Sequence, residues 1–191
     1  HYTSALRALE AGESETSAET LELFLKQDLS VPLAEQAYQL LEEVYLTLDL
    51  DRAIEGYEGI VNSRIRNLPA VANFAKFYNR VELYEQALEL LSEWLDITPL
   101  GKRGDLLRVR GDVYTAQEKP VRAFEDYELA ARITPEDPVI HLIVGNTLNQ
   151  LGFYEEALAS YETSAALGEE SAQALIDSLP ELTTNPDLFY E

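Results

Sequence analysis

Small and large apolar positions recur along this chain at helical spacing and at a fixed longer period. Ala53, Ala87, Ala123 and Ala157 stand 34, 36 and 34 residues apart. Four residues beyond each lies a large side chain: Tyr57, Leu91, Tyr127 and Tyr161. Nine residues before each alanine come Val44, Tyr78, Tyr114 and Leu148, and three before those come Leu41, Ala75, Gly111 and Gly145. Steps of three and four place such positions on one face of an α-helix. Each period therefore sets small residues on a helical face beside bulky tyrosines that can fill the gaps around them, knob against hole. Pro99 and Pro135, eight residues after Leu91 and Tyr127, are placed to end a helix, because proline lacks an N–H and disfavours helix in the residue before it. Self-similarity at this period marks stacked units, none of which buries its apolar face alone.

The arrangement resembles the tetratricopeptide-repeat (TPR) pattern, W-x2-L-G-x2-Y…A-x3-F…P, over about residues 34–171. The resemblance implies an all-α fold: a right-handed superhelical solenoid of antiparallel helix pairs, closed by a C-terminal capping helix. Four repeats are expected across 34–170, starting near Ala34, Leu68, Gly104 and Pro138, with two extra residues absorbed in the loop Leu100–Arg103. Several positions depart from the pattern. Leu41 stands where a small residue is usual, Ile65 and Glu169 replace prolines, and Arg110 replaces a leucine. The usual tryptophan site holds Ala37, Val71, Leu107 and His141.

Outside the repeats, residues 1–33 read as a degenerate hairpin. Ala5, Leu6 and Leu9 suit a first helix, Gly12 interrupts it, and Leu21, Phe24 and Leu25 form the stripe of a second helix that Pro32 stops. Residues 171–179 read as the capping helix, with Ala172, Leu175 and Ile176 as its apolar stripe. The tail 180–191 carries the turn signal Asn185-Pro186 and the apolar trio Leu188, Phe189 and Tyr190. Such a tail suits either a disordered or crystal-packed end or a segment that docks on the chain's own solenoid or on a neighbouring molecule.

Charge narrows the choice of partners. The net charge is −21, unevenly spread: residues 1–63 carry 13 acidic and 3 basic side chains, 64–132 balance 11 against 11, and 133–191 carry 11 acidic and no basic ones. Nucleic acid and anionic membrane surfaces are repelled by both ends, so neither is an expected partner of this segment. The acidity suits either a solvated surface or one that steers in a basic partner. With no cysteine and only His1 and His141 as histidines, no metal site or cofactor is expected. No apolar run approaches the length of a membrane span. The chain opens at His1 and has no methionine, which suits a cut or processed start.

The family resemblance places residues two, five, nine and twelve of each repeat on the concave face. The first repeat contributes Glu35, Tyr38, Glu42 and Tyr45; the second Ala72, Lys76 and Asn79, with Arg80 alongside; the third Asp105, Arg108, Asp112 and Thr115; the fourth Leu142, Asn146 and Asn149. Asparagine amides can bond an extended backbone from both ends, Lys76 and Arg108 can pair a carboxylate, and Tyr38 and Tyr45 offer apolar area with a polar tip. The implied function is a scaffold or adaptor that holds a peptide or helix of a partner protein, as in the assembly of a larger complex. The alternatives are a self-assembling structural protein, with a homo-oligomer as its product, or the repeat segment of a longer anchored or enzymatic chain. The lysine and asparagine pattern by which some TPR domains grip a chaperone's C-terminal carboxylate is missing, because Tyr38 and Glu42 occupy its places in the first repeat.

Nothing points to catalysis. His141 is expected between helices as a packed, hydrogen-bonded side chain without a nucleophile to serve. Gly101-Lys102-Arg103-Gly104 lacks phosphate-loop spacing, and the pairs Glu42-Glu43 and Glu155-Glu156 point different ways on a helix and read as solvation.

Overall fold

A computed structural model describes residues 1–27, 29–63 and 67–179. Ile65 and the tail 180–191, for which expectations were stated above, lie outside the described residues. Among those described, the chain forms α-helices, a single 3-10 turn and no strand. It divides into two compact units, His1–Leu90 and Leu91–Glu191, and the division falls inside the helix α6 (Tyr84–Ile97).

The first unit begins with a hairpin of α1 (Tyr2–Glu10) and α2 (Ser14–Leu25). Gly12 takes the left-handed backbone of the turn (φ 79°), and the buried Ser17 Oγ donates to the Ala5 carbonyl at 2.9 Å, pinning the pair where both side chains are small. Leu21, Phe24 and Leu25 are buried as expected, while on α1 the alanines Ala5 and Ala8 are buried more deeply than Leu6 and Leu9. Helix α3 runs Val31–Tyr45, three residues earlier than the expected start at Ala34. Pro32 does not stop α2; it sits in the first turn of α3, where its missing N–H has no intrahelical partner to lose. Helix α4 (Leu50–Val61) is capped by Asp49, whose carboxylate accepts from the Arg52 amide at 2.9 Å. Helix α5 runs Leu68–Arg80. Ala53 is fully buried, and around it Tyr57 stacks on Phe74 with centroids 5.1 Å apart and meets Tyr45 and Phe77 at tilted or edge geometry. This aromatic cluster joins α3, α4 and α5 through the contact geometry that ring quadrupoles favour.

In the second unit the loop after α6 holds the two extra residues as a 3-10 turn at Leu100–Lys102, braced by Arg103 Nε donating to the Thr98 carbonyl at 2.7 Å. Helices α7 (Gly104–Ala116) and α8 (Pro120–Ile133) form one pair, and α9 (Pro138–Leu151) and α10 (Tyr154–Ala166) the next. Each pair is built around one glycine and one tyrosine. A Cβ on Gly145 would lie 2.6 Å from two ring carbons of Tyr161, and a Cβ on Gly111 would overlap the Tyr127 ring likewise. Only glycine lets the helices pass this closely. Helix α11 (Ser171–Ser178) lies against α10 with Ala172 fully buried and Leu175 and Ile176 half-buried.

Arg110, at the usual leucine site, makes a two-pronged pair with Asp126 of α8, Nε and Nη2 each 2.7 Å from one carboxylate oxygen. Asp126 is 5% exposed, so the departure from the repeat pattern is a matched one. The acid is tolerated inside only because the guanidinium reaches it.

Candidate functional site

In the first unit the candidate face is built from α3 and α5. Glu42 and Arg80 pair across the two helices at 3.0 Å, with Arg80 mostly in solvent. Lys76 and Asn79, one helical turn apart on α5, are half-buried, and Glu35 is exposed. The Asn79 Oδ1 is buried and has no hydrogen-bond partner among the described residues. A buried carbonyl oxygen left unpaired is rare in folded proteins and costs about 1–3 kcal/mol.

Three residues assigned to this face do not form it. Tyr38 is 4% and Tyr45 1% exposed, and both belong to the core. Tyr45 turns inward because Gly56 of α4 leaves room for its hydroxyl, which donates to Glu22 of α2 at 2.9 Å. Burial, reinforced by the Glu22 charge, pushes the Tyr45 phenol well above its ordinary pKa, so it is a fixed donor. Arg52 of α4 closes the cluster by pairing with Glu22 at 2.7 Å and with Glu15 through its Nε. Ala72 is buried as well. The face that remains is charged and polar, without aromatic anchors.

The second unit carries its own candidate face on α7 and α9. Arg108 and Asp112, one turn apart, are 3.8 Å from each other, and Asp105 is exposed beside them. The Tyr127 hydroxyl donates to Asp112 Oδ1 at 2.8 Å, and in the next repeat the Tyr161 hydroxyl donates to Asn146 Oδ1 at 2.8 Å. The same tyrosine that fills the glycine gap thus orients the polar residue next to it. Burial, and then the Asp112 charge, raise the Tyr127 phenol so that it stays a donor. Tyr161 holds the oxygen of the exposed Asn146, whose remaining hydrogen-bonding capacity includes the two donors on Nδ2. Asn149 and Leu142 are half-buried on the same helix, and Thr115 bonds back to the Gly111 carbonyl at 3.0 Å.

His141 is hydrogen-bonded, Nε2 lying 2.8 Å from the Pro135 carbonyl, but it is half-buried rather than in the core. No group of three or more His, Cys, Asp or Glu side chains among the described residues could hold a metal ion. No described helix is long and apolar enough to cross a membrane.

Sequence reasoning missed the cluster of Glu15, Glu22, Arg52 and Tyr45. A signal for it exists: Ala18, fully buried, stands 35 residues before Ala53, which places Glu22 at the position held by Tyr57, Leu91, Tyr127 and Tyr161 in later pairs.

No protein-family model matches the chain. The type IV pilus assembly protein PilF of Pseudomonas aeruginosa is 26% identical over 169 residues, which are 88% of this chain and 66% of that protein. The chain thus spans just under two thirds of that relative's length. A solved structure of P. aeruginosa PilF matches with a TM-score of 0.61 and 26% identity, covering 91% of this chain and 78% of that one. A crystal structure of MamA matches with a TM-score of 0.58 over 88% of this chain and 96% of that one, at 18% identity, a likeness of fold alone.

Proposed function

We propose, because the chain belongs to the tetratricopeptide-repeat family, that it is a protein-interaction scaffold whose first-helix faces hold a peptide or helical segment of a partner. Stacked helix pairs offer extended surfaces for such binding, and the reading draws its specific support from Asn79. Its buried Oδ1 accepts no hydrogen bond among the described residues, while Lys76, Arg80 and Glu42 belong to the same face. A turn of the half-buried Asn79 side chain would bring that oxygen to a backbone N–H of a bound segment, and a carboxylate of the segment would meet Lys76 and Arg80. On α7 and α9 the Asn146 amide and Arg108 offer the same chemistry with the polarity reversed: amide donors offered, oxygen held by Tyr161. The name of the P. aeruginosa relative ties that protein to pilus assembly, which favours a role for this chain in assembling a larger complex.

The test is affinity capture from the native source with the wild-type chain and with Lys76→Glu combined with Arg108→Glu. Both side chains lie outside the core, so helicity should be unchanged. Reversing charges that meet a partner weakens binding by roughly tenfold or more, and the specific partner should drop out of the captured set. An unchanged set of captured proteins, with folding intact, rejects the reading.

A further inference from the structure

The second unit carries another concavity, on a different stripe of α9. His141, Val144 and Leu148 line it, whereas Leu142, Asn146 and Asn149 form the candidate face described above. Together with Phe124 of α8 and Ala159 of α10 they line an open concavity of about 550 Å³ whose lining is mostly apolar. His141, at the repeat's usual tryptophan site, forms part of its wall. The bond from Nε2 to the Pro135 carbonyl holds the ring against the loop.

The rim decides the occupant. Glu156 of α10 lines one side. On the other, Glu128 pairs with Arg132 at 2.7 Å, so the only rim cation is already neutralised. Beyond Arg132 the sequence has no lysine or arginine at all. An approaching segment therefore meets an apolar hollow set in a negative field. The chain's own apolar trio, Leu188, Phe189 and Tyr190, is flanked by Asp187 and Glu191 and carries the wrong charge, as does a second copy at −21. We propose that this cavity docks a basic amphipathic segment of a partner protein, a bulky apolar side chain entering between α8 and α10 and its flanking lysines or arginines meeting Glu156. This site is independent of the first-helix faces.

The probe is a fluorescein-labelled amphipathic peptide of leucine and tryptophan with lysine on its polar face, and its counterpart with glutamate there, read by fluorescence polarisation on the full chain. The lysine peptide binds and the glutamate peptide does not. His141→Trp and Ala159→Trp fill the cavity without changing charge, and each weakens the lysine peptide by about tenfold or more, as loss of an anchor pocket does. Ala159 is exposed, so that variant folds even if His141→Trp does not. Glu156→Lys weakens binding by about threefold more than Glu19→Lys, which makes the same charge change on α2. Because the chain has only two histidines, the His141 ring signal is easily resolved by NMR and should shift on titration. Unchanged affinity in both tryptophan variants would mean that acidic charge alone attracts the peptide, and the inference falls. It also falls if the glutamate peptide, or a peptide of residues 180–191, binds as tightly. If Lys76→Glu with Arg108→Glu tightens binding of the lysine peptide while the filled cavities leave it unchanged, the peptide sits on the first-helix faces; that outcome rejects this site and leaves the proposed function standing.

Discussion

Replacing Gly145 by alanine should destabilise the protein although alanine is the better helix former. The gain in helix propensity is about 1 kcal/mol. Against it, the new methyl would sit 2.6 Å from Cδ1 and Cε1 of Tyr161, and 3.2 Å from Cγ, where ordinary contact begins at 3.4 Å. Tyr161 is fully buried and its hydroxyl is bonded to Asn146, so the ring cannot swing away. Overpacking of this kind costs about 1–3 kcal/mol, and loosening the hydroxyl bond adds about 1 kcal/mol. The net loss is about 1–3 kcal/mol. Gly59 supplies the control: it is exposed on α4, and its added methyl would find only Lys26 Nζ, at 3.6 Å. Gly59→Ala should therefore stabilise by about 1 kcal/mol. Urea denaturation followed by far-ultraviolet circular dichroism measures both. Hydrogen exchange assigns each change to α9–α10 or to α4, since repeat arrays can unfold in stages. If Gly145→Ala is as stable as Gly59→Ala, the helices do not pass as closely as described and the packing argument fails.

Three further outcomes follow from the same packing. Arg110→Leu restores the residue usual in the repeat yet should cost about 3 kcal/mol, because Asp126 is left buried without its cation; Arg110→Leu with Asp126→Ala should recover most of that loss in urea unfolding, and a neutral single variant would contradict the pairing. Glu118 holds a left-handed backbone (φ 57°) in the turn where the next repeat has Gly152 (φ 84°); Glu118→Gly should raise the melting temperature, with a gain of about 0.5–1 kcal/mol after the entropy of glycine is deducted. Burial raises the phenols of Tyr45, Tyr57 and Tyr127 above the ordinary value of 10.0. Below that pH both folded and unfolded states keep these protons and stability is undiminished. Above it only the unfolded state releases them, and stability falls by about 1.4 kcal/mol per pH unit for each phenol. Ultraviolet titration should show exposed tyrosines ionising gradually and these three only in a cooperative alkaline unfolding step; gradual ionisation of every tyrosine would contradict their burial.

The helix pairing could be read from the sequence because it rests on side-chain volume at fixed spacing. Ala53, Ala87, Ala123 and Ala157 are all fully buried, and Gly111 and Gly145 face the tyrosines of their own repeats. Volume is local information, and the period repeats it. Pro32 was misread because the same missing N–H that ends one helix suits the first turn of the next. Tyr38 and Tyr45 were misplaced for a longer-range reason. The family spacing puts them on the concave face, but Tyr45 is drawn inward by Gly56 on α4 and Glu22 on α2, outside its own helix. The Arg110–Asp126 pair was half visible: Arg110 stood out as a departure, while its compensating acid lies sixteen residues on and breaks no rule of the pattern. The polar residues of the candidate faces were legible as positions. Their partners were not, because Asp112 and Asn146 are oriented by tyrosines that the pattern explains as packing alone.

Whether the first-helix faces hold a protein is decided most directly by photo-crosslinking. A photoreactive amino acid is placed singly at Arg80 and Arg108 on first helices, and at the exposed Glu55 and Glu93 on second helices. The chain is then irradiated in extract from its native source and the adducts are identified by mass spectrometry. A scaffold of the kind proposed gives adducts to the same partner protein from Arg80 and Arg108, absent from Glu55 and Glu93. Adducts confined to Glu55 and Glu93, or none from any position, would contradict it.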